Sequence, residues 1–287
     1  MTEYALAHAG PATDPPTPVD ATRPSAERRR TPPSWLFALG HADLPESVDI
    51  AGQEFRSVKV FKHDFFAATG LYESNGRRAV IKFGRAAPLL GLPLAWLGRR
   101  MVGHEARLYE RVDGLPGIPA YLGRVTPCGF AHEFAEGRDL RRDDHPNDDF
   151  FPRLQRLIDA IHQRDVAYVD LEKRENVLLG EDQCPHLIDF QISWHWPDRS
   201  GGRTAIARRV LAVLQASDRY HLYKHWRRHR PDQLTPEQLE QAQPPPWIAW
   251  HRAVFRPITL ARRRVLEWLG ARARGQVGRS EEARQTQ

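Results

Sequence analysis

Cysteine is scarce in this chain of 287 residues, with Cys128 and Cys184 alone. Two thiols build neither a zinc cluster nor a disulfide framework, so both are expected as ordinary buried thiols in a reducing compartment. No basic stretch followed by an apolar one opens the sequence, and it holds no run of about 18 apolar residues. These absences speak against a secretory leader and a membrane-spanning helix, and they predict a cytoplasmic protein. Lysine is scarce too: Lys59, Lys62, Lys82, Lys173 and Lys224 stand beside 37 arginines. A lysine is therefore the unusual choice here, and its position is informative.

What the chain does contain is enough to fold. With 41% hydrophobic and 27% charged residues it can bury a core. At roughly 100–200 residues per domain its length allows two compact lobes, or one larger domain with tails. The formal net charge of +6 suggests an anionic partner without choosing among nucleotide, nucleic acid and membrane surface. Seven of the 23 prolines fall in residues 1–33 together with the run Arg28-Arg29-Arg30, which predicts a disordered tail. There is no internal repeat.

From Phe55 onward short strand-forming stretches follow one another: 55–61, 65–73 and 77–83, the last two separated by the turn signal Ser74-Asn75-Gly76. They predict an antiparallel meander. A helix is expected over 101–112 and two more strands over 118–125 and 129–135. Beyond Gly137 the period becomes helical, with Phe151, Leu154, Leu157, Ile158 and Ile161 spaced along 150–164. Short strands are expected at 176–179 and 186–190, then helices over 203–228 and 235–243. Prolines at 244–246 interrupt the chain before a last helical stretch at 247–272.

Two constellations carry chemistry. Lys82 ends the apolar stretch Ala79-Val80-Ile81, and Glu105 follows 23 residues later on an expected helix. A lysine inside a strand built for burial needs a partner for its charge, and a helix carboxylate can hold it while it reaches a phosphate. The competing reading is a surface lysine at a sheet edge and a solvated glutamate. The second constellation is Asp170, Lys173 and Asn176, then a hydrophobic strand, then Leu187-Ile188-Asp189-Phe190. Asp170, Asn176 and Asp189 are oxygen-bearing side chains, the hard-ligand set that Mg²⁺ with phosphate oxygens requires. Otherwise each of these residues merely caps a turn.

Together these residues resemble the signature set of the protein-kinase-like superfamily: a strand lysine, a helix glutamate, a catalytic aspartate loop with an asparagine, and a metal-binding Asp-Phe-Gly. The resemblance covers about residues 55–230. It is closest to small bacterial kinases of the lipopolysaccharide group, the Kdo and heptose kinases, and to RIO-type kinases. It implies an α+β, two-lobed fold, with a five-stranded antiparallel N-lobe over 45–136 and a compact, mostly helical C-lobe over 137–243. The tail 1–33 and a basic extension 244–287 flank the two lobes. It further implies ATP and Mg²⁺ as cofactors: Lys82 on the α- and β-phosphates, Glu105 orienting it, Asp170 accepting the acceptor's proton, Lys173 on the γ-phosphate, Asn176 and Asp189 on the metal. His162 matches a histidine that ends the helix before the catalytic loop and reads as structural.

The departures are equally specific. No G-x-G-x-x-G precedes Lys82; the corresponding turn reads Phe61-Lys62-His63-Asp64-Phe65-Phe66. The spacing from Asp170 to Asn176 is one residue longer than the usual motif, with the extra residue before Lys173. Gln191 stands where the motif has glycine, and Tyr168-Val169 where it has His-Arg. The apolar insert 86–102, ending near Arg99-Arg100, and the stretch 247–272, which interleaves Trp247, Trp250, Phe255 and Trp268 with seven arginines up to Arg274, describe interfacial segments attracted to anionic lipid. The alternative is that both pack on the core. The expected acceptor is a sugar of lipopolysaccharide or a related lipid-linked glycan, with the protein peripheral on the inner face of the membrane. A RIO-like Ser/Thr protein kinase and a nucleotide-binding pseudokinase scaffold stay open. Nucleic acid would suit the charge and the stretch 224–230, but no nucleic-acid motif accompanies it.

Overall fold

The computed structural model describes residues 33–89, 91–195 and 205–243. The tail 1–33, apart from Pro33, and the whole extension 244–287 lie outside the described residues, as does the aromatic and basic stretch 247–272. The chain is a mixed α+β protein with one large antiparallel sheet and, among the described residues, four α-helices.

The strand-forming stretches become β1 (Ser47–Ile50), β2 (Gln53–His63), β3 (Ala67–Ser74) and β4 (Arg77–Gly84), joined by hairpins. The turn between β3 and β4 places Asn75 and Gly76 at φ 49° and 76°, the left-handed pair that a two-residue hairpin requires. After helix α1 (Ala95–Val112) come β5 (Tyr121–Thr126) and β6 (Gly129–Glu133). The sheet order is β1-β2-β3-β4-β6-β5, so the chain leaves β4, runs through α1 and returns on the far side of β6. The expected five strands are therefore six. The addition is β1, Ser47-Val48-Asp49-Ile50, whose polar-apolar alternation runs for only four residues and buries Ile50 alone, too short a pattern to mark a strand in the sequence. Lys82 lies on β4, paired on one side with Thr69 and on the other with Phe130, which excludes an edge position.

Helix α1 also begins earlier than expected. Its first eight residues come from the apolar insert 86–102, and Gly98 and Val102 in that part are buried. The reason is close backbone packing. A Cβ on Gly98 would lie 2.0 Å from the Arg85 carbonyl oxygen, and one on Gly84 would lie 2.6 Å from Val102 Cγ2 and 2.8 Å from the Gly98 oxygen. Two glycines thus let the helix settle onto the end of β4.

The chain continues through β7 (Arg138–Asp139), α2 (Phe150–Gln163), β8 (Val166–Ala167), β9 (Val177–Leu179), β10 (Pro185–Leu187), β11 (Trp194–His195), α3 (Ala205–His229) and α4 (Pro236–Gln241). Helix α2 buries Phe150, Phe151, Leu154, Leu157, Ile158 and Ile161, the face its period foretold. Two hydrophobic clusters result. One lies within the sheet around Phe55, Tyr72, Ile81 and Phe83; the other joins α1, α2 and α3 through Leu108, Tyr109, Phe151, Phe190, Leu222 and Trp226. Cys128 and Cys184 are half-exposed rather than buried, since each sits in or beside a tight turn. No helix among the described residues is long and apolar enough to cross a membrane.

Candidate functional site

The packing of α1 on β4 determines where two charges meet. Lys82 lies two residues before Gly84 on β4, and Glu105 lies two turns beyond Gly98 on α1. Lys82 Nζ is 2.8 Å from Glu105 Oε1 and 2.7 Å from Oε2, and it also reaches Asp189 Oδ1 at 3.1 Å. The first constellation is therefore assembled, with Asp189 joined to it across 107 residues of sequence.

Asp189 and Asn176 are brought together by the β9–β10 hairpin. Asn176 precedes β9, Asp189 follows β10, Val177 pairs with Leu187, and the Ile188 N–H donates to the Asn176 carbonyl at 3.2 Å. Asp189 adopts φ 63°, a left-handed conformation uncommon for a non-glycine residue. Its N–H donates to the Tyr109 hydroxyl at 3.3 Å. The next residue, Phe190, is fully buried between the edges of Tyr109 and Tyr168, at ring distances of 5.0 and 5.1 Å. Aromatic packing from both sides thus anchors the carboxylate.

Asp170, Lys173 and Asn176 form the third part. Asp170 Oδ2 accepts from Lys173 Nζ at 2.7 Å and from Asn176 Nδ2 at 2.9 Å. The residue inserted between Asp170 and Lys173 is absorbed by a turn in which the Lys173 N–H donates to the Asp170 carbonyl at 3.2 Å. A 3-10 turn over Arg174–Asn176 follows. Glu172, the other carboxylate of this loop, is exposed and pairs with Lys224 at 3.2 Å. Asp170 is therefore the carboxylate at the centre of the loop.

The charges do not cancel. One ammonium lies between two carboxyl groups, so with both ionised one negative charge is in excess. Burial pushes Glu105 up to about 7, against the pull of Lys82 and with a further push from Asp189. Burial alone would lower Lys82, but the two carboxylates outweigh it and raise its pKa, so it stays protonated. Asp189, also burdened by burial, is held below its ordinary value by Lys82. Burial raises Asp170 despite its bonds to Lys173 and Asn176. An added cation beside Asp189 would relieve the whole group. Among the described residues no group of three or more His, Cys, Asp or Glu side chains could hold a metal ion on its own. Asp189 and the Asn176 side-chain oxygen, whose amide nitrogen is taken by Asp170, offer two hard ligands to an ion that brings others with it.

Several residues of the site escaped the sequence reading. Asp218 on α3 is fully buried and accepts from the N–H groups of Tyr168 at 2.8 Å and Val169 at 2.7 Å, and it lies 2.9 Å from His162 Nε2. Val169 has φ 69°, a strained value for a β-branched residue, and the two bonds to Asp218 hold it there. The signal was present: Asp218 falls on the same helical stripe as the buried Leu211, Leu222 and His225. His225, from the same helix, faces the Leu171 carbonyl at 2.7 Å. At the turn between β2 and β3, Asp64 Oδ1 accepts from the N–H groups of Phe66 at 2.8 Å and Ala67 at 3.0 Å, and Lys62 pairs with the same carboxylate at 2.7 Å. Two amides of this tip, those of Phe66 and Ala67, are thus satisfied by the protein's own carboxylate. Arg85 Nη1 donates to the Phe65 carbonyl at 2.9 Å and its Nη2 to those of Trp35 at 2.9 Å and Pro88 at 3.1 Å.

No protein-family model matches this chain, and no curated protein matches it.

Proposed function

We propose that the chain is an ATP-dependent phosphotransferase with a two-lobed, protein-kinase-like fold that acts on a hydroxyl acceptor. One observation carries the reading: Lys82 is paired at once with Glu105 and Asp189, and the β9–β10 hairpin joins that group to Asp170, Lys173 and Asn176. In this reading the sheet over β1–β6 is the N-lobe and the part beyond Gly137 the C-lobe.

Each side chain has work that its contacts suit. Lys82, held charged by Glu105, binds phosphate oxygens of the nucleotide. Asp189 and Asn176 would hold Mg²⁺, which when bound neutralises charge on the phosphates. Asp170 Oδ2 is engaged by Lys173 and Asn176, so Oδ1 is the oxygen that accepts the acceptor's proton. Its raised pKa improves it as a base, provided it remains ionised at working pH. Lys173, half-exposed beside it, is placed to meet the transferred phosphoryl group. Because Asp64 occupies the Phe66 and Ala67 amides at the β2–β3 tip, phosphate binding in this reading rests on the side chains rather than on a glycine loop. A pseudokinase would need none of the Asp170 arrangement, which favours the enzyme.

For the acceptor we take a sugar of a lipid-linked glycan, with the protein peripheral on an anionic membrane. Leu92 and Trp96 are 64% and 57% exposed and stand beside Arg99 and Arg100, which supports a membrane-facing edge.

Calorimetry should show nucleotide affinity that depends on Mg²⁺. Lys82→Ala should weaken it about tenfold or more, the loss expected of a charge-assisted contact. Asp170→Asn should abolish transfer from labelled ATP to a sugar, lipid or protein fraction while nucleotide affinity stays near that of the wild type. Absence of Mg²⁺-dependent affinity up to millimolar nucleotide would overturn the reading.

A further inference from the structure

Three arginines lie on three different segments that the fold brings together around the loop from Asp170 to Asn176. Arg174 opens the 3-10 turn that ends at Asn176. Arg142 follows β7, whose pairing with β9 continues in a bond from the Leu140 N–H to the Val177 carbonyl at 2.9 Å. The loop after β7 thereby runs beside Arg174–Asn176. Arg228 lies on α3, one turn beyond Lys224 and His225, which themselves touch Glu172 and Leu171 of the catalytic loop. Its neighbour His229 places Nδ1 2.9 Å from the Asp144 carbonyl, fixing the loop of Arg142 against the same end of α3.

These three guanidiniums have no ion-pair partner among the described residues. The carboxylates nearby are already committed: Asp144 takes two bonds from Arg138 at 2.6 and 2.7 Å, Glu172 takes Lys224, and Asp148 and Asp232 take Arg230 at 2.6 and 2.8 Å. Asp143 and Glu175, both exposed, pair with none of the three. Burial and the repulsion of Arg142 and Arg174 hold Arg228 below its ordinary value, in keeping with the meeting of these three segments. Burial, with Arg228 and Arg174 nearby, likewise keeps the His229 imidazole below its ordinary value. Unpaired like charges repel, and the protein gains nothing from gathering them unless an anion completes the set. Arg174 is only half-exposed and stands four residues from Asp170.

We propose that Arg142, Arg174 and Arg228 form an anion subsite for the acceptor, so that the molecule phosphorylated next to Asp170 already carries a phosphate or carboxylate group. This assignment rests on the phosphotransfer reading, since it is Asp170 that makes this loop the acceptor's. It implies that an earlier reaction, one that installs a phosphate or an acid group, supplies the acceptor. Guanidiniums suit both groups through paired N–H donors, whereas a neutral sugar offers them nothing of that strength.

The test is binding of three probes, glucose 6-phosphate, glucuronate and glucose, by the full chain saturated with Mg²⁺ and a non-hydrolysable ATP analogue. Calorimetry or saturation-transfer NMR gives the affinities. At least one anionic sugar should bind about tenfold more tightly than glucose, and Arg174→Gln and Arg228→Gln should each remove most of that preference. The first two probes separate phosphate from carboxylate. Equal binding of all three, or a preference that survives both variants, overturns the subsite. Nucleotide affinity measured on the same samples checks that the variants fold. A wild type that prefers anionic sugars without Mg²⁺-dependent nucleotide affinity would instead overturn the phosphotransfer reading, and the acceptor role with it.

Discussion

His132 on β6 and His225 on α3 are 8% and 4% exposed, and burial holds both imidazoles down to about 4. An unfolded histidine takes up its proton near 6.5, so between 6.5 and 4 the unfolded chain binds protons that the folded chain refuses. Their contribution to stability is complete above 6.5 and is lost as the pH falls toward 4. Each shift amounts to about 3 kcal/mol at full extent. Urea unfolding at pH 7.5, 5.5 and 4.5 should show a steep decline, and His225→Gln should flatten it. A stability unchanged between pH 7.5 and 4.5 would refute the assignment. At this scale the charged residues were legible where the sequence set them against their surroundings: a rare lysine in an apolar strand, a carboxylate after Leu187-Ile188. Asp218 was not, because its partners are backbone N–H groups of a loop 49 and 50 residues away, which leave no pattern in side-chain types.

Between β4 and α1 the spacing is set by Gly84 and Gly98, and the meeting of Lys82 with Glu105 follows from it. Gly98→Ala would place a methyl group against the Arg85 backbone, which cannot yield as a side-chain end could. The helix must move off the strand, at a cost of about 1–3 kcal/mol. Thermal unfolding should report that loss, and Mg²⁺-dependent nucleotide affinity should fall with it as the lysine loses its carboxylate. A Gly98→Ala variant as stable and as tight-binding as the wild type would show that the close approach is not what positions the pair. The strands from β2 to β4 were readable in strand-forming stretches and turn residues, and the buried face of α2 in its helical period. The start of α1 was not. Its first turn, from Ala95 to Gly98, is apolar all round, and periodicity marks a helix only where polar residues break the pattern.

For the molecule as a whole, the proposed location can be read from the face around Leu92 and Trp96. Basic residues near an anionic surface contribute on the order of 1 kcal/mol each, and salt screens them. Co-sedimentation should be strong with phosphatidylserine vesicles at low salt and weak at high salt or with neutral vesicles. Trp96→Ala combined with Arg99→Ala and Arg100→Ala should reduce it. Failure to pellet under any of these conditions would leave the chain without a membrane dock and move the acceptor to a soluble molecule. The resemblance read from the sequence rests on scattered motifs, and its distinguishing departure, the missing glycine loop, has a structural counterpart in Arg85. That one guanidinium ties the segment around Trp35 and the tip at Phe65 to Pro88. Under the phosphotransfer reading proposed above, a hairpin fastened in this way would be a fixed roof over the nucleotide and not a door. Nucleotide beneath it would exchange at a rate governed by its own contacts, with no opening step to wait for, and turnover would be free of the product-release delay that a closing flap imposes.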